Sequence, residues 1–234
     1  MKVSIVIPVI KNDPFIKDCL KSIKKSTYKN IEIIVVDEGK ERSEQRNIGL
    51  ERATGDYVLW LDADQRVSKD LIKECVNTVR KGYDALFIPE VITSPGFFAK
   101  VRNFERSFLT ATAVDVPRFI LRRVFPRFDT NLTGPEDADV GQKITGLKGV
   151  VKNPIYHYDC VNFVEYCRKK AYYTKSMRKY AEKWPDDPCL NLKYRCFTIF
   201  TENGKWKKLL KHPILALGIV GVLIIRGIIY YANL

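Results

Sequence analysis

Three aspartates lie where short apolar segments of the sequence end, and their spacing suits the binding of a metal ion and a phosphate. Asp37 follows Ile31–Val36, and Asp62 and Asp64 follow Tyr57–Leu61 in the run LDADQ. Two carboxylates held this close together favour a hard divalent cation with oxygen ligands, Mg²⁺ or Mn²⁺. Such a cation binds a diphosphate and stabilises the charge on a departing nucleotide. A single aspartate at the end of a strand can equally be a turn residue or a helix cap.

A second acidic group lies in the run GPEDAD, which occupies residues 134–139. A carboxylate there can act as the general base that takes a proton from a hydroxyl group. Acidic residues also favour the first turn of a helix, where they interact with the helix dipole. The run on its own leaves both interpretations open.

Two kinds of segment alternate over the first hundred residues. Short apolar runs typical of buried strands occupy Lys2–Pro8, Ile31–Val36, Tyr57–Leu61 and Ala85–Pro89. Segments with apolar residues at helical spacing lie between them, at Asp13–Ser26, Glu41–Ala53 and Ser68–Arg80. The alternation predicts a mostly parallel sheet with right-handed crossovers. Ligands of such sheets bind at the carboxyl ends of the strands, where the aspartates lie.

The middle of the chain is less regular. Phe97–Phe108 predicts a helix with aromatic residues on one side and basic residues on the other. Arg118–Arg127 mixes basic and apolar residues and predicts no particular element. Val161–Lys183 predicts one long helix rich in Lys, Arg and Tyr.

Charge and cysteine content narrow the function classes. The 40 Lys and Arg against 27 Asp and Glu give a net charge of +13, which indicates an anionic partner: nucleic acid, acidic lipid or a phosphorylated metabolite. Six cysteines without a CxxC pair, and only two histidines, exclude a zinc ribbon or finger. We expect these cysteines to be thiols, with disulfides 160/167 and 189/196 as the alternative.

The end of the sequence changes character. The basic run Lys205–His212 precedes Ile214–Ala232, 19 residues that are apolar except for Arg226. As a helix they would extend roughly 28 Å, close to the thickness of a bilayer core. An arginine in mid-membrane costs about 2.5–3.5 kcal/mol on insertion scales. We expect a membrane segment at 213–232, with the basic run on the cytoplasmic side. Shallow membrane association, or burial in the protein or a dimer, is the alternative.

Four linked motifs resemble family 2 glycosyltransferases of the GT-A fold. They are VSIVIPV, DCLKSIKKSTYKNIEIIVVDEG, QRNIGLERATGDYVLWLDADQRVSKDLI and, as the later "ED" motif, GPEDADVGQKI. The resemblance covers about residues 2–157. It implies an α/β fold, Rossmann-like with a mostly parallel sheet flanked by helices. It also implies a metal-dependent, inverting sugar transfer that uses Mg²⁺ or Mn²⁺.

The resemblance also implies roles for single residues. Pro8 and Asp37 match positions that line the nucleotide base and ribose, and Arg46 lies in the helix that faces the donor. Asp62 resembles the contact to sugar or ribose, and Asp64 resembles the metal ligand. The family's TYNE and DDGS motifs are VIKN and DEGK in this chain. These departures leave the identity of the nucleotide base open.

Later residues complete the implied site. Asp137 matches the catalytic base, and Glu136 lies beside it as an orienting or acceptor contact. His157 occupies a position where many GT-A enzymes have a further metal or diphosphate ligand. Glu165–Lys169 stands where processive synthases have QxxRW, but it lacks the Gln and the Trp. Arg168 in this run is a candidate contact to the diphosphate.

These features lead to a division of the chain and a predicted reaction. The predicted segments are a nucleotide-sugar-binding half at 1–95, an acceptor and catalytic half at 96–160, basic interface helices at 161–212 and the membrane segment at 213–232. The predicted donor is GDP-mannose, with UDP-sugars second. The basic, aromatic-rich segments and the apolar tail favour a lipid-linked acceptor, either polyprenyl or dolichyl phosphate or a lipid-linked oligosaccharide.

Three other functions compete with this one. A processive polysaccharide synthase would normally need more membrane helices than one. An inactive GT-A domain acting as a membrane scaffold is disfavoured by the intact Asp62, Asp64 and Asp137. No nucleic-acid partner is expected, because no nucleic-acid-binding motif accompanies the positive charge.

Overall fold

The computed structural model describes residues 1–159 and 162–232, and this part of the chain forms two compact units. The first unit comprises Met1–Val91, Val116–Thr130 and Glu136–Tyr158. The second comprises Ile92–Asp115, Asn131–Pro135 and the described residues from Asp159 onward. Each unit is thus built from several stretches of chain, a division that differs from the consecutive segments 1–95, 96–160, 161–212 and 213–232.

Strands and helices alternate along much of the chain. In chain order, the strands are β1 (Val3–Pro8), β2 (Ile31–Val36), β3 (Tyr57–Trp60), β4 (Gln65–Val67), β5 (Ala85–Phe87), β6 (Glu90–Ile92), β7 (Phe119–Leu121), β8 (Lys148–Val150) and β9 (Ile155–His157). The helices are α1 (Ile16–Lys24), α2 (Arg42–Arg52), α3 (Leu71–Val79), α4 (Phe97–Arg106), α5 (Glu136–Lys143), α6 (Phe163–Thr174), α7 (Met177–Lys183), α8 (Ile199–Thr201), α9 (Trp206–Lys211) and α10 (Pro213–Ala232). Short 3₁₀ turns lie at Arg122–Val124, Pro188–Leu190 and Glu202–Gly204, and a π-helical turn lies at Tyr194–Thr198.

The main sheet has the order β2-β1-β3-β7-β5-β8 within the described residues. β1 is parallel to β2 and β3, and β5 is parallel to β8. β7 is antiparallel to both of its neighbours. The sheet is therefore mostly parallel, as predicted, and Asp37 and Asp62 follow β2 and β3 at the same edge.

β1 is buried on both faces. Ile5 packs in a cluster with α1 and α3, which contribute Cys19 and Leu71. Val6, on the opposite face, packs with Val58. This two-sided burial explains why β1 is a continuous apolar run in the sequence.

β7 is an element that the sequence did not predict. It lies in Arg118–Arg127, where Phe119 and Ile120 are fully buried between β3 and β5. The strand is only three residues long, and basic residues flank it on both sides. An apolar run this short is not recognisable as a strand from the sequence.

A second, three-stranded sheet has the order β4-β9-β6. β4 and β9 are antiparallel, and their register places Gln65 opposite His157. This pairing brings His157 next to the turn that contains Asp64, although the two residues are far apart in sequence.

The predicted helix over Val161–Lys183 is two helices, α6 and α7, with Lys175 and Ser176 between them; Val161 itself lies outside the described residues. The buried Ser176 hydroxyl accepts a hydrogen bond from the Thr133 backbone N–H at 3.0 Å. This hydrogen bond ties the break between the two helices to the segment that contains Thr133.

α10 is, among the described helices, the one that is long and apolar enough to cross a bilayer. One side of it is docked within the second unit, where Ile219 and Val222 are buried. The other side exposes large apolar residues, among them Leu217 and Ile228. Arg226 is on the docked side and forms an ion pair with Glu105 of α4. The charge that made a membrane segment costly is therefore paired with a carboxylate inside the protein.

The described cysteines are thiols. Cys19, Cys75, Cys167, Cys189 and Cys196 are free, so the alternative disulfide 189/196 is not formed. Cys160 lies outside the described residues, and with it the alternative pair 160/167.

Candidate active site

Arg46 lies at the centre of the candidate site and joins two of the predicted carboxylates. Its side chain is 0% exposed. Nη2 donates to Asp62 Oδ1 at 2.6 Å, and Nη1 donates to Asp137 Oδ1 at 2.6 Å. The guanidinium lies 4.4 Å from the centre of the Trp60 ring and 5.1 Å from that of Phe128. A buried arginine thus holds the carboxylate after β3 and the carboxylate on α5 in one place.

A glycine allows this arrangement. Gly49 is three residues after Arg46 in α2, so the two lie on the same side of the helix. A Cβ at Gly49 would lie 2.2 Å from Cγ1 of Val6 on β1. The helix can therefore approach the sheet closely, and this approach buries Arg46 against Trp60.

The two neighbouring acids at the start of α5 have different surroundings. The Glu136 side chain is 3% exposed and accepts hydrogen bonds from Arg42. Burial, together with the neighbouring charge of Asp137, raises the pKa of Glu136 despite the opposing arginines. The Asp137 side chain is 26% exposed. Asp137 is therefore the carboxylate of this pair that an acceptor can reach.

Asp62 is held in its ionised form. Burial alone would raise its pKa, but the charges of Arg46 and Arg42 outweigh that effect and hold the pKa of this carboxyl well below its usual range. The Asp62 backbone N–H donates to the side chain of Gln65 at 3.1 Å, and the Gln65 N–H donates to the Asp62 carbonyl at 3.0 Å. These bonds close the turn that carries Asp64.

His157 lies between two carboxylates. Its Nε2 is 3.2 Å from Asp64 Oδ2, and its Nδ1 is 2.9 Å from Glu90 Oε1. Burial lowers the pKa of His157, but the hydrogen bonds to Asp64 and Glu90 outweigh it and raise the pKa to about 10. His157 therefore carries its proton at neutral pH in this arrangement.

Asp64 and His157 fit a metal site in part. Oδ1 of Asp64 is buried and has no hydrogen-bond partner, so it offers a free lone pair. The second potential ligand atom is Nε2 of His157, which lies 3.2 Å from the other carboxylate oxygen, Oδ2 of Asp64. Across residues 1–159 and 162–232 there is no group of three or more His, Cys, Asp or Glu residues that could hold a metal ion. A cation at this position would therefore need further ligands from a bound substrate, which is how Mg²⁺ is usually held beside phosphates.

The structure adds residues to the site that sequence reasoning missed. Arg118 lies 4.3 Å from the centre of the Trp60 ring, on which Arg46 also lies, and its Nη2 is 3.1 Å from Glu90. Arg42, which binds Glu136, was missed as well. Arg118 lies in the basic run Arg118–Arg127. No local sequence pattern indicated that Trp60 or Glu90 would be its partners.

The remaining predicted residues are dispersed. Pro8 is buried at the end of β1 and pairs with Val36, the residue before Asp37. Asp37 is exposed at the same sheet edge. Arg168 is exposed on α6 in the second unit. Arg46 itself, predicted to face the donor, is fully enclosed and directed at Asp62 and Asp137.

The family model described as "Glycosyl transferase family 2" matches residues 4–45 and 38–135, which together span more than half of the chain. The chain therefore belongs to glycosyltransferase family 2. Glu136, Asp137 and His157 follow the matched residues, so the geometry of the site is what bears on their roles.

Curated relatives match parts of the chain. The glycosyltransferase GlyA of Streptococcus pneumoniae is 32% identical over 98 residues, which is 31% of this chain and 14% of GlyA. The minor teichoic acid biosynthesis protein GgaB of Bacillus subtilis is 25% identical over 66% of this chain and 22% of its own length. The chain thus spans less than two thirds of the length of these relatives.

Solved structures of the same fold include a mannosyltransferase and the protein TarS. PcManGT from Pyrobaculum calidifontis, solved with GDP-Man and Mn²⁺, has a TM-score of 0.61 at 15% identity and covers 98% of this chain and 87% of its own. TarS 1-349 of S. aureus, solved with UDP, has a TM-score of 0.53 at 18% identity and covers 74% of this chain and 64% of its own. These likenesses show a mixed α/β fold of the GT-A type.

Proposed function

We propose that this member of glycosyltransferase family 2 transfers a sugar from a nucleotide-sugar donor to a lipid-linked acceptor, with inversion at the anomeric carbon. The observation that carries the proposal is the buried Arg46, which joins Asp62 to Asp137. Arg46 holds the partly exposed Asp137 beside the ionised Asp62. Both lie at the carboxyl edge of the sheet, where ligands of open α/β sheets bind.

Asp137 is the proposed general base. Arg46 holds its Oδ1, and Oδ2 has no hydrogen bond within the described residues. In the proposed step a sugar hydroxyl of a lipid-linked oligosaccharide gives its proton to Oδ2, and its oxygen attacks the anomeric carbon. The bond from that carbon to the diphosphate breaks on the opposite face, and the nucleoside diphosphate leaves with the electron pair. Positioning and charge stabilisation are the protein's main contributions to such a step.

Glu136 has an orienting role in this proposal. It is too enclosed to reach the acceptor, and Arg42 holds it through hydrogen bonds. Arg42 and Arg46 on α2 thus each bind one of the two acids at the start of α5. The pair of contacts fixes the direction of the Asp137 side chain.

Asp64 and His157 are the proposed ligands of Mg²⁺ or Mn²⁺. When bound, the cation supplies positive charge to the donor diphosphate. His157 would release its Nε2 proton to become a ligand, while Glu90 continues to accept from Nδ1. A carboxylate behind a metal-binding histidine orients the ring and raises its basicity.

GDP-mannose is the first donor in this proposal, and UDP-sugars are the second. PcManGT, a structural neighbour that covers 98% of this chain, was solved with GDP-Man and Mn²⁺, whereas TarS was solved with UDP and with UDP-GlcNAc. Pro8, Asp37 and Asp62 are the proposed donor contacts, and Arg168 is a proposed contact to the diphosphate.

The lipid-linked acceptor is proposed because of α10. Its exposed side carries Ile214, Leu217, Val220, Ile224, Ile228 and Tyr231, each more than half exposed. The basic helix α9 directly precedes it, with Lys207, Lys208 and Lys211. Apolar surface next to basic residues suits a membrane with anionic lipids. The positive charge favours the cytoplasmic side.

The test is nucleotide release by the purified full chain. A panel of GDP- and UDP-sugars is offered with Mg²⁺ or Mn²⁺ and a polyprenyl-lipid extract. We expect release with one donor, dependent on both metal and lipid. Asp137→Asn should reduce kcat by about 10²- to 10⁴-fold, because it removes the base.

Two further variants sharpen the test. Glu136→Gln keeps an acceptor for Arg42 and should reduce kcat less than Asp137→Asn does. Asp186→Asn makes the same chemical change at an exposed site in the second unit and should leave kcat unchanged. Folded protein that releases no nucleotide from any donor would support the inactive scaffold instead, and long polymeric products would support a processive synthase.

A further inference from the structure

The second unit contains a cluster of charged side chains that are not part of the candidate active site. Three helices contribute to it: Arg102 and Glu105 come from α4, Tyr166 and Lys170 from α6, and Arg226 from α10. The Tyr166 ring lies at its centre. The charged ends of Arg102, Lys170 and Arg226 are 5.2, 5.5 and 5.6 Å from the centre of that ring.

Both arginines of the cluster bind its one carboxylate, that of Glu105. Arg226 binds Glu105 through two contacts, Nη1 to Oε1 at 2.5 Å and Nη2 to Oε2 at 2.9 Å. Arg102 donates to the same Oε2. Both oxygens of Glu105 are therefore engaged by the arginines, and neither contacts Lys170 within the described residues.

Lys170 is the cation without an acceptor. Its ammonium group has no hydrogen bond or ion pair in the part of the chain that the structure describes, and it lies only over the rings of Tyr166 and Tyr173, at 5.5 and 5.6 Å. Burial, with the charges of Arg226, Arg102 and Lys169, lowers the pKa of Lys170 well below its usual value, against the opposing charge of Glu105. Nε of Arg102 is likewise buried without a partner. Lys170 is half-buried, and its ammonium group and the buried Nε of Arg102 are two donors that lack an acceptor within the described residues.

The open side of the cluster is positive. The Glu105 side chain is 2% exposed, whereas Arg102 is 13% and Arg226 is 21% exposed. Solvent therefore reaches the cations, while the carboxylate is beneath them. With Lys170 protonated, the three cations and one carboxylate carry a net charge of +2.

We propose that Arg102, Lys170 and Arg226 bind the phosphate group of a lipid. A phosphate dianion matches the net charge, and it can accept hydrogen bonds from arginine and from a lysine ammonium together. Apolar surface for a hydrocarbon chain lies on the same two helices: Ile224 and Ile228 are exposed on α10, and Phe163, two turns before Lys170 on the same side of α6, is 45% exposed. This inference rests on the proposed function only where it takes the bound phosphate to be part of the lipid-linked acceptor.

The experiment measures binding without a donor, using the full chain in mixed detergent micelles. The probes are a polyprenyl phosphate, the matching polyprenol and inorganic phosphate. We expect polyprenyl phosphate to bind at least tenfold more tightly than polyprenol. Lys170→Met should abolish that difference without lowering the thermal midpoint, since Lys170 has no ionic partner to leave behind. Lys179→Met, at an exposed position of α7, is the matched control and should change nothing.

Each other outcome contradicts the proposal at a defined point. Unchanged discrimination in both Lys170→Met and Arg102→Met would overturn the site. Inorganic phosphate that binds as tightly as polyprenyl phosphate would overturn the lipid source and assign a free phosphate. Because no sugar is transferred in this assay, Asp137→Asn should bind the lipid as the wild type does. A failure of the proposed reaction is therefore distinguishable from a failure of this site.

Discussion

At the level of single residues, Arg46 sets the geometry of the candidate active site. It is a fully buried cation whose charge is matched by Asp62 and Asp137, which it holds at the same distance. Its aromatic neighbours Trp60 and Phe128 exclude water from the guanidinium. The residue acts on the proposed reaction through the carboxylates it positions, because its Nη1 and Nη2 donate to Asp137 and Asp62.

Replacing Arg46 tests that positioning role. Arg46→Lys keeps the charge, but an ammonium cannot span both carboxylates as a guanidinium does. One acid is then left without its partner, which should cost about 3 kcal/mol of unfolding free energy. Denaturant unfolding measures this cost, and kcat should fall while KM for the donor changes less.

Arg52→Lys is the control for this change. Arg52 lies on the same helix and pairs with Glu38, but both side chains are about half exposed. Exposed pairs contribute little, so its unfolding free energy should stay within about 0.5 kcal/mol of the wild type. Equal losses in the two variants would show that the span of Arg46 is unimportant.

At the level of elements, the contact between α4 and α10 determines which side of the apolar helix is free. The two helices approach each other closely at Gly218, because a Cβ there would lie 2.5 Å from Cγ2 of Val101. Arg226 binds Glu105 two turns further along α10. The docked side is thus occupied by protein, and only the opposite side is available to lipid.

Two glycines of α10 form a matched pair for testing this packing. Gly218→Leu should destabilise the chain by about 1–3 kcal/mol, because the added side chain meets Val101. Gly221→Leu should be neutral or slightly stabilising, since nothing lies within 4 Å of its added Cβ and leucine favours a helix. Thermal unfolding in detergent compares them, and a harmless Gly218→Leu would contradict the docking of α10.

The Glu105 pair predicts a pH dependence. Burial raises the pKa of Glu105, but Arg102 and Arg226 outweigh it and lower the pKa from 4.5 to about 2. The ionised form therefore stabilises the fold above about pH 4.5, and this stabilisation is lost as the pH falls towards 2. The full difference corresponds to roughly 3 kcal/mol.

Glu105→Gln removes this contribution. Its unfolding free energy should lie below that of the wild type at pH 6. This gap in unfolding free energy between the two proteins should narrow as the pH falls below 4.5. Glu182→Gln, which removes an exposed carboxylate paired with Arg178, should show no such gap. A gap that stayed constant down to pH 3 would mean that Glu105 does not titrate with this lowered pKa.

At the level of the whole molecule, the family match includes parts of both units, and the second unit also carries the apolar helix. The net charge of +13 is divided among many short basic segments and does not form one run. Basic segments next to an apolar helix are expected to act together at an anionic membrane, the first by attraction and the second by insertion.

Membrane binding can be tested without removing α10, which also supplies buried residues of the second unit. Serine is introduced at Leu217, Ile224 and Ile228, all on the exposed side. Flotation with anionic liposomes should then be lost, while thermal unfolding changes little. Wild-type protein should still float in 1 M salt, because salt screens charge but not apolar insertion. Persistent flotation of the triple variant would place the attachment elsewhere, for example in residues 97–127.

Patterns within single elements were sufficient to predict much of this protein. The two-sided burial of β1 appears as a continuous apolar run, and the helical spacing of α1, α2 and α3 gave these helices to within a few residues. Parallel strands then required the aspartates that follow β2 and β3 to share one sheet edge, because chain direction alone decides which ends meet.

Only the tertiary structure shows which residues that are distant in sequence bind each other. Local spacing carries no information that Arg46 would bridge Asp62 and Asp137, which are separated from it by 16 and 91 residues. The same holds for Glu105, whose partner Arg226 is 121 residues away. Pairing across such separations depends on how elements pack. A buried charge without a partner is strongly destabilising, so the packing that pairs these charges is favoured. Sequence therefore identified the reactive residue types, and packing determined which of them meet.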